Sequence, residues 1–240
     1  MKLFIIRYTK LAFSTLQLHR IFGLFSSLFS NLLYLTKFSA WISKNRKIGY
    51  NDFPGKWDYT KRYNMYSWVL QQERLLDAPI NYLEFGVAQG ESMRWFLAKN
   101  KNSASRFHGF DTFTGLPEDW GTMKKGEFDN NNMVPEVNDN RAAFYKGLFQ
   151  DSLPPFLKQL EQDNNKRKII MLDADLYSAT LFTLSSLAPF LKKDDIILFD
   201  EFAVPTHEFK AFLNFTESYY IKLDLIAAAN NYYFVAFKVA

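Results

Sequence analysis

The chain has 240 residues, of which 48% are hydrophobic and 22% charged, enough for one sizeable core with an appendage. It has no cysteine, which excludes disulfides, thiolate-held zinc and a thiol nucleophile, and leaves oxygen donors and three histidines as the available metal ligands. The net charge of +4 is uneven: residues 1–51 carry eight Lys or Arg and no acid, so the remainder has 29 − 8 = 21 basic against 25 acidic residues, a net of −4.

A nucleic-acid binder usually carries its positive charge as a patch on the folded domain, and this body is mildly acidic, so no nucleic-acid partner is expected. The basic leader, residues 1–50, contains IFGLFSSLFSNLLYLT (21–36), sixteen residues without a charge between Arg20 and Lys37. A spanning helix wants about 20 apolar residues, and Ser26, Ser27, Ser30 and Asn31 interrupt this one. Phe38 is too large for the first small position of a signal-peptide cleavage site ending at Ala40. The pattern suits a helix lying on an anionic membrane face, with peripheral contact through residues 1–48. The competing reading packs the leader on the body or on a second copy in a homodimer. Both fit a cytoplasmic protein, the first at the inner face of the membrane.

From about residue 60 the pattern alternates. YNMYSWVLQQERLL predicts a helix ending before Pro79, INYLEFG a strand stopped by Gly86, and ESMRWFLAKN a helix. SRFHGFD is a strand, followed by a loop over 112–140 rich in Gly, Asn and Asp. AAFYKGLF reads as a third strand and LPPFLKQLEQ as a helix with proline in its first turn. RKIIMLD and DDIILFD are strands four and five, separated by the helix SATLFTLSSLAPFL. THEFKAFLNFTES is helical, and YYIKLDLIA and YYFVAFKV close the chain around Asn230-Asn231 as a hairpin. This order predicts an α/β fold: a mostly parallel seven-stranded sheet covered by helices on both faces, closing with an antiparallel hairpin, and an N-terminal helical extension.

Ligands of such sheets sit at the carboxyl ends of the strands, and here those ends carry acids. LEFGVAQGES (83–92) runs from strand through Gly86 and Gly90 into a helix, letting a ligand approach the backbone and meet free N–H groups. Its G-x-x-x-G spacing does not meet the dinucleotide fingerprint, and a plain strand-to-helix turn is the competing reading. Asp111, about 25 residues further on in HGFDTFTGLPEDW, suits two ribose hydroxyls or a turn. Asp173, Asp200 and Glu201 end two neighbouring strands. Three hard oxygen donors at one point call for Mg²⁺ or another hard divalent cation, unless some of them cap helices, as Asp175 and Glu201 could. His207, six residues past Glu201, is a candidate general base or a surface histidine.

LEFGVAQGES, HGFDTFTGLPEDW, GLFQDSLPPFL, LDADLYSAT and ILFDEF, in that order, resemble the macrocin O-methyltransferase type of class I S-adenosylmethionine-dependent methyltransferases over roughly residues 60–240. The resemblance implies a Rossmann-like three-layer sandwich over residues 51–240 and S-adenosylmethionine as cofactor. It places Glu84, Gly86, Gly90 and Ser92 at the methionine end, Asp111 at the ribose, and Gln150 and Asp151 near the adenine. It makes Asp173, Asp200 and Glu201 magnesium ligands, although the family often has two aspartates in its last motif. Catechol-type relatives carry a lysine where Leu176 stands, so the base falls to His207 or Asp173. The implied acceptor is a hydroxyl of a sugar, a glycan or a lipid-linked natural product, methylated in line while loop 112–140 closes over it. The rivals are a metal-dependent glycosyltransferase using the DAD of residues 173–175 and a non-catalytic, membrane-associated binding protein on the same fold.

Overall fold

A computed structural model describes residues 2–162 and 165–240, and the chain divides into two compact units, 1–43 and 44–240. The N-terminal unit is helical: α1 (Lys2–Thr15), α2 (His19–Phe22) and α3 (Ser26–Lys44), with a tight turn Gly23–Phe25 joining the last two. Its first residue lies outside the described ones. Gln17 takes φ +50°, and Leu18 N–H closes α1 on the Phe13 carbonyl at 3.1 Å. The run His19–Lys44, 26 residues, is long and apolar enough to cross a membrane by length and composition. That corrects the length inferred from the charge-free stretch alone, because the helix continues past Lys37. The interrupting polar groups also turn inward. Ser26 Oγ donates to the Gly23 carbonyl, Asn31 Nδ2 to Ser27, and Thr36 Oγ1 to Leu32, all at 2.8–2.9 Å.

The second unit is a mixed sheet of eight strands. They are β1 (Tyr50–Asn51), β2 (Ile80–Phe85), β3 (Arg106–Asp111), β4 (Ala142–Lys146), β5 (Arg167–Leu172), β6 (Ile196–Phe199), β7 (Leu223–Ala229) and β8 (Phe234–Val239). The order is β1-β7-β8-β6-β5-β2-β3-β4, parallel throughout except that β8 runs antiparallel to β6 and β7. The expected Rossmann-like sheet is present with one more strand than the seven predicted. Two residues are too short to show a period, so β1 left no signal. The helices of this unit are α4 (Lys61–Gln72), α5 (Glu91–Lys99), α6 (Phe149–Gln162), α7 (Tyr177–Leu187) and α8 (Glu208–Tyr219).

Both faces of the sheet are covered, which is why β2, β5 and β6 read as continuous apolar runs. On one face α4 and α5 bury Tyr66, Val69 and Phe96 against Tyr82, Phe107 and Met171. On the other, Phe156 of α6 meets Phe110 at 5.1 Å and Phe212 of α8 meets Phe237 at 4.8 Å. Aromatic edge and offset contacts of this kind add to burial and fix ring orientation. The predicted strand 142–149 ends early. Gly147, at φ +136°, turns the chain, and α6 begins at Phe149, so its prolines fall in the second turn rather than the first.

The first long strand, β2, lies third from the β4 edge. The chain winds outward from it through β3 and β4, then returns to its other side for β5 and β6. This is the point where strand order reverses, and it brings the turns after β2, β3 and β5 together.

Candidate active site

A cavity of about 540 Å³ opens at those turns, within the range of small-molecule sites. Gly86, Asp111, Gln150, Asp173, Asp200 and Glu201 line it, as expected from the sequence, together with Arg62 and Asp175. Glu84, Gly90, Ser92, Asp151 and His207 are not among its walls.

The glycine turn is built for close approach. Gly86 has φ +92°, and a Cβ there would stand 1.8 Å from the carbonyl oxygen of Asp173. Gly90, at φ +76°, opens α5. Asp111 holds this turn. Its Oδ2 accepts the Val87 and Ala88 N–H groups at 2.8 Å each, and its Oδ1 accepts Phe113 N–H at 2.7 Å. The acid therefore ties the ends of β2 and β3 together and lines the cavity. Glu84 sits behind the wall, fully buried, and accepts a hydrogen bond from Ser92 Oγ. Burial pushes its carboxyl up to about 8, against the pull of Ser92 and Tyr82.

The carboxylates after β5 and β6 differ from one another in their partners. Asp200 is saturated: Oδ2 pairs with Arg62 Nη1 at 2.7 Å, and Oδ1 accepts Tyr66 O–H at 2.7 Å. Glu201 Oε1 accepts Tyr233 O–H at 2.7 Å, and its backbone N–H is capped by Glu208 Oε2 at 3.0 Å. Asp173 has no side-chain hydrogen bond among the described residues, and burial, then Asp200 and Asp175, push its carboxyl well above the usual range. Burial first and Asp200 next raise Asp175 to about 7, while Glu201 rises to about 8 through burial and then Asp175. Asp195, before β6 at the opposite end of the sheet, has its own cation in Lys168 at 2.9 Å, and there the charge is purely structural.

The expected magnesium set does not form. Asp173, Asp200 and Glu201 reach one wall, but Arg62 and Tyr66 take both oxygens of Asp200, and Tyr233 takes one oxygen of Glu201. Among the described residues no group of three His, Asp or Glu is disposed to hold a metal ion. The donors present do not fit the ion. His207 does not line the cavity. Its Nδ1 accepts Tyr177 N–H at 3.4 Å, its ring lies edge-on to Trp120 at 6.3 Å, and burial and Lys210 lower its pKa.

Arg62, Tyr66 and Tyr233 were not read as site residues from the sequence. Arg62, Tyr66, Val69 and Leu70 share one stripe of α4. A charge on an otherwise buried stripe was the available signal. Loop 112–141 is folded over the cavity rather than open. Leu116 N–H bonds the Glu127 carbonyl at 2.9 Å, Phe128 lines the cavity, and Ser178 Oγ donates to Glu118 at 2.8 Å.

The family described as "Methyltransferase domain" matches residues 83–202, from the glycine turn through the carboxylates after β6. The chain belongs to that family. The match spans half of the chain and takes in the DAD of residues 173–175, which speaks against the glycosyltransferase alternative. Among solved structures, this methyltransferase is similar to the calicheamicin methyltransferase CalS11, at 23% identity and a TM-score of 0.56, over 75% of this chain and 78% of that one. An apo form of CalS11 is described as a TDP-rhamnose 3'-O-methyltransferase. The O-methyltransferase NovP matches at 18% identity and a TM-score of 0.54, over 76% of this chain and 79% of that one. At these identities the likeness is one of fold. No curated protein matches the sequence.

Proposed function

We propose that the protein is an S-adenosylmethionine-dependent O-methyltransferase acting on a hydroxyl of a sugar or a glycosylated small molecule. The observation that carries this is the meeting of Gly86 with Asp173. A glycine that leaves room for close approach and an unpartnered carboxylate share one wall of a cavity at the topological switch point. The sulfonium cofactor supplies an electrophilic methyl group, and the cavity fits it, being side-chain-free at Gly86 and carrying acids that suit a cation, with Arg62 as its basic wall residue. Asp111 holds the turn and offers lone pairs to ribose hydroxyls, and Gln150 stands where the adenine end would lie. Asp173 orients the acceptor hydroxyl and takes its proton, and burial with the neighbouring Asp200 and Asp175, by raising its carboxyl, makes the ionised form the stronger base. The folded loop 112–141 keeps water out. Arg62 holds Asp200 in place of a cation. CalS11 and NovP, which share the fold, methylate oxygen according to their descriptions, and for CalS11 the described acceptor is a nucleotide-linked sugar.

The same reading places the leader in the inner face of an anionic membrane. Its apolar side chains Phe4, Leu11, Leu24, Leu28 and Leu32 are exposed, its polar side chains bond back to their own helices, and it carries basic charge without acid.

Calorimetry with S-adenosylhomocysteine tests the cofactor assignment. The wild type is expected to bind in the micromolar range and Asp111→Ala at least tenfold more weakly. Asp173→Asn is expected to keep that affinity while losing transfer of labelled methyl to hydroxyl acceptors. A wild type that binds no S-adenosylhomocysteine sinks the reading.

A further inference from the structure

The segment between β1 and α4 presents two large aromatic side chains to solvent, and they are joined to the cavity wall through Tyr233 and Arg62. Trp57 is 58% exposed and Tyr59 56% exposed. Neither is loose. Trp57 packs edge-on to Tyr233 at 5.4 Å, and Tyr59 packs edge-on to the same ring at 5.7 Å. Tyr233 in turn hydrogen-bonds Glu201, which lines the cavity. A second path leads to the same place. Arg62, also a wall residue, donates from Nε to the Tyr59 carbonyl at 3.2 Å. The segment is further fastened by Asp58 N–H to Asn230 Oδ1 and Gly55 N–H to Asn231 Oδ1, both at 2.9 Å. Rigid, exposed aromatics fixed through two separate links to a catalytic cavity are a costly arrangement for a surface with no partner.

We infer that Trp57 and Tyr59 form a shelf on which an uncharged pyranose ring of the acceptor stacks, while the cavity carboxylates bind its hydroxyls. This rests on the methyltransferase reading and names its substrate class. A pyranose has one face of C–H groups and a rim of hydroxyls. The first matches the negative face of an indole or phenol ring. The second donates to carboxylates, which accept the stronger, charge-assisted hydrogen bonds. Charge decides between a neutral sugar and a sugar phosphate. Arg62 is the one basic residue in the cavity wall and is already spent on Asp200, against Asp111, Glu118, Asp173, Asp175, Asp200 and Glu201. A phosphate would meet acids there, whereas a neutral ring meets acceptors.

Saturation-transfer NMR on the full-length protein, with and without S-adenosylhomocysteine, tests the shelf. The probes are methyl glucopyranoside, methyl galactopyranoside and methyl rhamnopyranoside, each beside its phosphate ester. At least one neutral glycoside is expected to bind at millimolar concentration, with the strongest saturation on the C–H protons of one ring face. Trp57→Ala and Tyr59→Ala should each weaken it at least tenfold, Trp57→Phe should largely restore it, and S-adenosylhomocysteine affinity should stay unchanged in all three. Because both side chains are mostly exposed, the thermal midpoint should move little. The shelf is refuted if no neutral glycoside binds while S-adenosylhomocysteine does, if the alanine variants bind as the wild type does, or if the phosphate esters bind more tightly. Glycoside binding without any S-adenosylhomocysteine binding would keep the shelf and remove the cofactor assignment.

Discussion

At the scale of single residues, the site is governed by which carboxylates have partners. Glu84 is buried with one oxygen bonded to Ser92, and burial raises its carboxyl to about 8. In the unfolded chain a glutamate titrates near 4.3. Between those values the native state holds a proton that the unfolded state has lost, so stability falls as pH rises through that window. Asp175 and Glu201 are raised as well and add slope of the same sign. The thermal midpoint of the ligand-free protein is therefore expected to be higher at pH 5.5 than at pH 8.5. Glu84→Gln, which keeps the shape without the charge, should flatten part of that dependence. Each kcal/mol recovered at the alkaline end is worth about 2–4 °C in a chain of this size. A midpoint that climbs steadily from acid to alkaline pH would contradict the assignment.

Among elements, α4 supplies both partners of Asp200, although it lies outside the matched span of residues 83–202. It sends Arg62 and Tyr66 to the two oxygens of Asp200. Removing one partner of a buried ion pair typically costs about 3–5 kcal/mol. Arg62 retains some exposure, so Arg62→Gln is expected near the lower end, about 3 kcal/mol in urea unfolding. Millimolar Mg²⁺ should leave the wild-type midpoint where it is, since the guanidinium already holds the position. A Mg²⁺-dependent rise in the wild type would mean that the arginine yields to an ion. The sequence announced much of this architecture because apolar runs break sharply at Gly86, Asp111, Asp173 and Asp200, and a fully covered sheet makes such runs unmistakable. It did not announce the Arg62–Asp200 or Tyr233–Glu201 pairs. They join positions 138 and 32 residues apart, and no local pattern encodes a contact across that distance. The acids were legible as a cluster, but their partners, which decide what the cluster can bind, became visible only in three dimensions.

For the whole molecule, the division at residue 43 separates two chemistries. The body has a closed core, a covered sheet and its own cavity. The leader exposes apolar side chains along its helices and meets its polar needs internally. Residues 44–240 alone are expected to fold and to bind S-adenosylhomocysteine as the full chain does. The full chain should sediment with anionic phospholipid vesicles, and the truncated chain should stay in the supernatant. Equal partition of the two would return the leader to a role in packing against protein.

The contact between Gly86 and the Asp173 carbonyl reaches further than local sterics. The strand end that would cradle the cofactor and the residue that would activate the acceptor touch through backbone, with no compressible side chain between them. A shift of either turn must be shared by the other. Occupancy of one subsite is therefore expected to change the affinity of the other, and thermodynamic reciprocity would make the effect equal in both directions. Titration of an acceptor with and without S-adenosylhomocysteine checks this: identical affinities would show that the two turns are not linked.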